Sequence, residues 1–305
     1  MVTFDLTTVP ERDRARVAAL IPKQRVADNY INRQIDGIRD FELFDYACEQ
    51  SENILLCGPT GSAKTTVFKA YAASRGLPFA LVESHASMDK DTVIGQSKIL
   101  GPEAVEFVDG IMTLVVRYGG VVLIDEINMA HPRIMAGFKA LFSSTRMMTV
   151  PENNEEIKAG FGGLGEPQPF LIAGNMNPFG RYAGTQRLNE ALTNQFSIQL
   201  EWDYDAAVES ELMDSKRLLD MASTIRSLTE IRSPLSTNML MEFERHAVDL
   251  NMDFAARALV NHFAPEERAP VARALEANLA AIAGELGVGY VVPSDDDDDS
   301  ETGTL

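Results

Sequence analysis

Between residues 53 and 201, short apolar runs alternate with segments whose apolar residues recur at helical spacing. The runs at 53–57, 78–83, 120–125, 169–174 and 196–201 have strand length, and the one at 120–125 stays apolar up to its last residue. A strand without polar alternation is buried on both faces, and helical crossovers between such strands give a parallel sheet covered on both sides. After Trp202 the pattern changes, and no further run reads as a strand. Instead Leu240, Phe243, Ala247 and Leu250 fall on one helical face, as do Val271, Leu275, Leu279 and Ile282. The predicted fold is α/β: a three-layer parallel sheet over 51–203, followed by a small all-α domain over 204–290. Residues 1–50 read as a polar helical segment, with Tyr30, Ile31, Ile35 and Ile38 near helical spacing. Residues 291–305 carry Asp295 to Asp299 and Glu301. A block of like charges repels itself and buries nothing, so disorder is expected there.

The first strand runs into Gly58-Pro59-Thr60-Gly61-Ser62-Ala63-Lys64-Thr65-Thr66, after which Val67, Phe68 and Ala70 open a helix. Strand, glycine-punctuated loop and helix N-terminus form the order that binds a triphosphate. The loop's backbone N–H groups and the helix dipole converge on the anion. In this reading Lys64 reaches the β/γ oxygens and the Thr65 hydroxyl ligates Mg²⁺. Ala63 stands where glycine is usual. Alanine suits helical φ/ψ, so a helical Ala63 would perturb the loop only modestly.

Two further strand ends supply the rest of a hydrolytic site. Val121-Val122-Leu123-Ile124 ends in Asp125-Glu126. The C-terminal ends of parallel strands are where α/β ligand sites form. Asp125 is expected to hold Mg²⁺, and Glu126 to orient and activate the attacking water, since one role offsets metal charge and the other accepts a proton. Phe170-Leu171-Ile172-Ala173 leads to Gly174-Asn175-Met176-Asn177-Pro178. An amide there can hydrogen-bond both the water and the γ-phosphate, and Asn177 is favoured over Asn175.

Together the phosphate loop, Asp125-Glu126-Ile127-Asn128 and Asn177-Pro178 resemble the AAA+ ATPases. The likeness is greatest to the MoxR-like branch, which includes the nitric-oxide-reductase and Rubisco activation ATPases. Asp109-Gly110, Tyr118-Gly119-Gly120, Tyr182-Ala183-Gly184-Thr185 and Leu188-Asn189-Glu190-Ala191-Leu192 add to it. The resemblance implies a homo-oligomeric, hexameric ring with ATP between subunits and an insert near 84–112 that lines or gates the ring. It also implies mechanical work on a protein client, often one with a von Willebrand factor A domain. Relatives end the Leu188–Phe196 helix with an arginine that reaches the neighbour's nucleotide, whereas here that residue is Gln195. An arginine acting in trans is worth about 10³–10⁵ in rate, and neutral glutamine cannot replace it. Arg187, Arg181 and Arg146 are the candidates to serve instead. Asn238 likewise replaces an arginine in the helical domain, with Arg232 nearby as the candidate lid contact. The resemblance thus implies secure ATP binding with slow hydrolysis, or a nucleotide-gated scaffold with little turnover.

Composition narrows the partners. A net charge of −18 on 305 residues makes nucleic acid a poor partner, which counts against a DNA-associated motor on the same fold. Cys48 and Cys57 are the only cysteines and lack metal-ligand spacing, so neither a disulfide framework nor a zinc site is indicated. His85, His131, His246 and His262 show no helical ligand pairing and read as structural or surface residues. Without a basic-then-apolar N-terminus or an apolar run of membrane length, a cytoplasmic location is expected.

Overall fold

A computed structural model describes residues 2–84, 90–101, 104–130, 138–178 and 188–291. Its strands are β1 (Gln34–Ile35), β2 (Ile38–Arg39), β3 (Ile54–Cys57), β4 (Phe79–Glu83), β5 (Gly95–Gly101), β6 (Ala104–Asp109), β7 (Gly120–Asp125), β8 (Met147–Val150), β9 (Glu155–Lys158), β10 (Phe170–Met176) and β11 (Ile198–Glu201). Five of them form one parallel sheet in the order β11-β3-β10-β7-β4. These are the five runs read from the sequence, shortened or extended by a residue or two.

Side chains in this sheet alternate between two cores. Ile54, Leu56, Val121, Leu123, Leu171 and Ala173 pack with Phe44 from the helix Asp40–Gln50 and with Phe68 and Tyr71 from the helix Lys64–Arg75. Leu55, Val122, Ile124 and Ile172 pack on the other face with Met112, Val115 and Val116 from the helix Ile111–Tyr118. Apolar residues at consecutive positions are thus buried because both faces are covered. Two antiparallel hairpins are appended: β5–β6 within the expected insert, and β8–β9 before β10. Arg117 ties them together, its guanidinium reaching Asp109 at 2.7 Å and Glu155 at 2.5 Å.

The N-terminal region carries the helices Glu11–Ala19, Arg25–Asp28 and Asp40–Gln50 and departs from the helical reading between the last two. Tyr30 to Ile38 do not form a helix; Gln34–Ile35 and Ile38–Arg39 pair as a hairpin. Asp36 and Gly37 take φ of 50° and 85°, both positive, as a two-residue hairpin turn requires. The apolar residues whose spacing suggested a helix therefore lie on and before a turn. This region belongs to the first of two compact units, Met1–Asp203, and Val2, Phe41 and Phe44 enter the core beneath β3.

The second unit, Tyr204–Leu305, is helical in its described part. Its helices Ala206–Leu212, Lys216–Ser227, Thr237–Asp249 and Met252–Asn261 start on Asp205, Ser215, Ser236 and Asn251, whose side chains accept from the first-turn N–H groups. Leu240, Phe243 and Ala247 are buried, as are Val271, Leu275, Leu279 and Ile282 on the helix Arg268–Leu286. Leu250 is not. It terminates its helix at φ −120°, ψ −86° and is 58% exposed, so the predicted stripe ends one turn early. The acidic run at 295–299 lies outside the described residues, as do His85 and His131. Among the described residues no helix is long and apolar enough to cross a membrane.

Candidate functional site

Parallel strands bring their C-terminal ends to one edge, and β10 lies between β3 and β7. Its Gly174 pairs with Leu55 on one side and Ile124 on the other. The residues that follow therefore emerge between the glycine-rich loop and the acidic pair.

The loop leaves β3 with the Gly58 N–H donating to the Met176 carbonyl, 3.1 Å. A Cβ on Gly58 would lie 1.8 Å from the Trp202 carbonyl oxygen, so no side chain fits there. Gly61 (φ 75°) and Ala63 (φ 67°, ψ 23°) are both left-handed. The helix begins only at Lys64, with Ala63 just outside it. A helical Ala63 is thus contradicted; the residue sits where an L side chain is strained. Ser62 is buried, its hydroxyl donating to the Pro59 carbonyl at 2.8 Å, while Thr60 and Thr66 are exposed.

Lys64 is buried at the centre of the loop. Its ammonium donates to the carbonyls of Gly58 and Pro59, both at 2.7 Å, and to Asn177 Oδ1 at 3.1 Å, occupying all three protons. Burial pushes its pKa down to about 8, against the pull of Asp125. The Thr65 hydroxyl lies 3.0 Å from Asp125 Oδ2. Glu126 follows with a left-handed backbone, φ 52°, ψ 45°, which turns its exposed side chain off the strand end. Asn177 Nδ2 approaches Glu126 Oε1 at 3.4 Å, and the Asn177 carbonyl accepts from Asn128 Nδ2 at 3.1 Å. Asn177 thereby contacts both Lys64 and Glu126. Asn175, fully buried, bridges the Glu126 N–H (3.0 Å) and the Thr65 hydroxyl (3.2 Å).

From 53 to 196 the chain matches the model of the AAA domain, dynein-related subfamily. An uncharacterized protein of Staphylococcus epidermidis is 30% identical over 192 residues, which is 61% of this chain and 69% of the relative. The chain belongs to the AAA family. The chain is also similar to an uncharacterized protein of Staphylococcus haemolyticus, 29% identical over 218 residues, 70% of this chain and 78% of that one. Among solved structures, a mutant of Thermotoga maritima RuvB aligns at a TM-score of 0.44 and 15% identity, covering 85% of this chain and 87% of that one.

The arginine candidates fall differently. Arg146 is buried in the AAA domain and donates to Asn53 Oδ1 at 2.6 Å and to the Ser51 carbonyl. Asn53 precedes β3, so Arg146 is held at the sheet edge opposite the loop, and burial lowers its pKa to about 10. It is an internal tie, contrary to the expectation that it reaches a neighbour. Arg181 and Arg187 lie outside the described residues. Arg232 is in the helical unit, where its backbone N–H donates to Glu267 at 2.6 Å.

Sequence reasoning missed a brace beneath the loop. Arg33 is buried and donates to the Ser62 and Asp203 carbonyls, each at 2.7 Å, while stacking 4.4 Å from the Trp202 ring centre. Trp202 Nε1 donates to the same Ser62 carbonyl at 2.9 Å. The one available signal was a lone tryptophan at the end of the last strand; Arg33 had none, since its partners are distant in sequence.

Proposed function

We propose that this protein is a Mg²⁺-dependent ATP-binding and ATP-hydrolysing AAA+ ring protein that remodels or activates a partner protein. The observation that carries this reading is the convergence of Lys64, Thr65, Asp125, Glu126 and Asn177 at one sheet edge. Gly58 to Thr66 supply the backbone cradle for the phosphates. The donor set suits a hard cation: a hydroxyl and a carboxylate 3.0 Å apart, with open coordination for water and phosphate oxygens. Thr65 and Asp125 would hold Mg²⁺, whose charge offsets that of the triphosphate.

Lys64 exchanges a loop carbonyl for a β/γ oxygen when nucleotide enters. Glu126 takes a proton from the attacking water as its oxygen bonds to the γ-phosphorus; the bond to the β–γ bridging oxygen breaks and ADP leaves. Asn177, already touching Lys64 and Glu126, orients water and γ-phosphate. A hexameric ring, a client with a von Willebrand factor A domain and a gating role for the β5–β6 hairpin rest on the MoxR-like resemblance. With Arg146 committed internally, Arg181 and Arg187 remain the proposed trans arginines and Arg232 the lid contact. In the test, Glu126→Gln retains ATP binding and loses phosphate release. Full release from that variant would overturn the reading.

A second reading is favoured by Gln195: a ring stabilised by ATP with little turnover. Rapid hydrolysis that rises with protein concentration would exclude it.

A further inference from the structure

We propose that Asn175, which touches no substrate atom in this scheme, is a positioning residue that aims the Thr65 hydroxyl at the cation and fixes the Glu126 peptide. The inference rests on the nucleotide-site reading above. Its basis is a directional chain of hydrogen bonds. The Glu126 N–H can only donate, so the Asn175 atom facing it at 3.0 Å is the amide oxygen. The amide nitrogen therefore faces Thr65 Oγ1 at 3.2 Å and donates to it. A hydroxyl that receives this N–H keeps its own proton to give, and Asp125 Oδ2 at 3.0 Å takes it. One lone pair of Thr65 Oγ1 is then spent and one remains for a cation. Without Asn175 the hydroxyl is free to turn that lone pair away.

The same amide holds Glu126 in its left-handed turn. β10 is the strand hydrogen-bonded to both β3 and β7, and Asn175 is wholly buried one residue beyond Gly174, the point where β10 pairs with both. Asn177 cannot substitute, because its amide oxygen is fixed on Lys64 and its nitrogen faces the Glu126 carboxylate.

The test titrates a fluorescent ATP analogue against full-length protein, in EDTA and then across a Mg²⁺ series. Asn175→Ala is expected to leave affinity in EDTA within about twofold of the unsubstituted protein. It should raise the Mg²⁺ concentration for half-maximal effect about tenfold, as expected when one oriented ligand is lost. Asn175→Val, β-branched and suited to a buried strand, should do the same and carries the test if alanine prevents folding. Asn175→Thr, which restores one oxygen and one proton, should recover part of the shift. An unchanged Mg²⁺ midpoint in either apolar variant overturns the proposal. So does an equal loss of affinity with and without Mg²⁺, which would mark a purely structural role. If the unsubstituted protein shows no Mg²⁺ effect at all, the nucleotide-site reading itself fails.

Discussion

Ala63→Gly separates the left-handed loop seen here from the helical one expected at that position. At φ 67°, ψ 23° an alanine Cβ crowds its own carbonyl, which costs about 1–2 kcal/mol, and glycine avoids this. Against that, glycine enlarges the unfolded ensemble, a loss of about 0.4–1 kcal/mol. The difference favours the variant by about 0–1.6 kcal/mol. A helical Ala63 would give the opposite sign, a loss of about 1 kcal/mol. Trp202 is the sole tryptophan, buried against the loop through its bond to Ser62, so its fluorescence reports the unit that contains Ala63. Urea unfolding followed at Trp202 should show a midpoint shifted upward for Ala63→Gly. Ala63→Val should be less stable than the parent, since a β-branched residue tolerates positive φ poorly. A lower midpoint for Ala63→Gly would refute the argument.

Other consequences follow from single side chains. Lys64 must be protonated to hold phosphate, and burial brings its pKa from 10.5 to about 8 in the free loop. Phosphate retains the proton in the complex, so ATP affinity should be full below pH ~7 and fall about tenfold per unit above 8; Lys64→Met should bind weakly and lack this dependence. Stability has the opposite sign: the cost of burying charged Lys64 is fully present below pH 8 and is relieved as pH rises from 8 to 10.5. Arg33→Ala should cost about 2–4 kcal/mol by withdrawing charged donors from Ser62 and Asp203, and Arg33→Lys should not rescue it, lacking the planar fork. Arg146→Ala should lower the Trp202-monitored unfolding free energy by about 2–4 kcal/mol yet leave turnover per folded molecule within about twofold, where a trans arginine would cost about 10³ or more. Leu240→Ala should cost about 2–5 kcal/mol by thermal unfolding, whereas exposed Leu250→Glu should stay within about 0.5 kcal/mol.

The sheet was legible because its strands are buried on both faces. A run such as Val121 to Ile124 admits few alternatives once it sits between helical crossovers. The phosphate loop and the acidic pair were legible because each is local: backbone, lysine, hydroxyl and carboxylate follow one another along the chain. Failures came where a local pattern had two meanings. Ile35 and Ile38 fit a helical face, yet Asp36-Gly37 between them is a hairpin turn signal that outweighs it. Ala63 fits a helix, yet the helix begins one residue later. Asn175 and Asn177 both lie at a strand end, and only the register with Leu56 shows which amide faces Thr65. Arg33 was invisible because nothing near it in sequence announces Ser62 or Trp202.

Register also explains why Arg146 is unsuited to the role expected of it. All five strands run the same way, so the sheet has one edge where they end and one where they begin. Lys64, Asp125, Glu126 and Asn177 gather at the first. Asn53 marks the second: it receives Arg146 and donates to the carbonyls of Phe142 at 2.7 Å and Gln195 at 2.5 Å. Arg146 is also buried, which lowers its pKa to about 10, and two acceptors hold its guanidinium. Withdrawing it would leave the buried Asn53 without that donor. Arg146 thus belongs to a polar network that joins the start of β3 to Phe142 and Gln195, and its donors are committed within its own subunit.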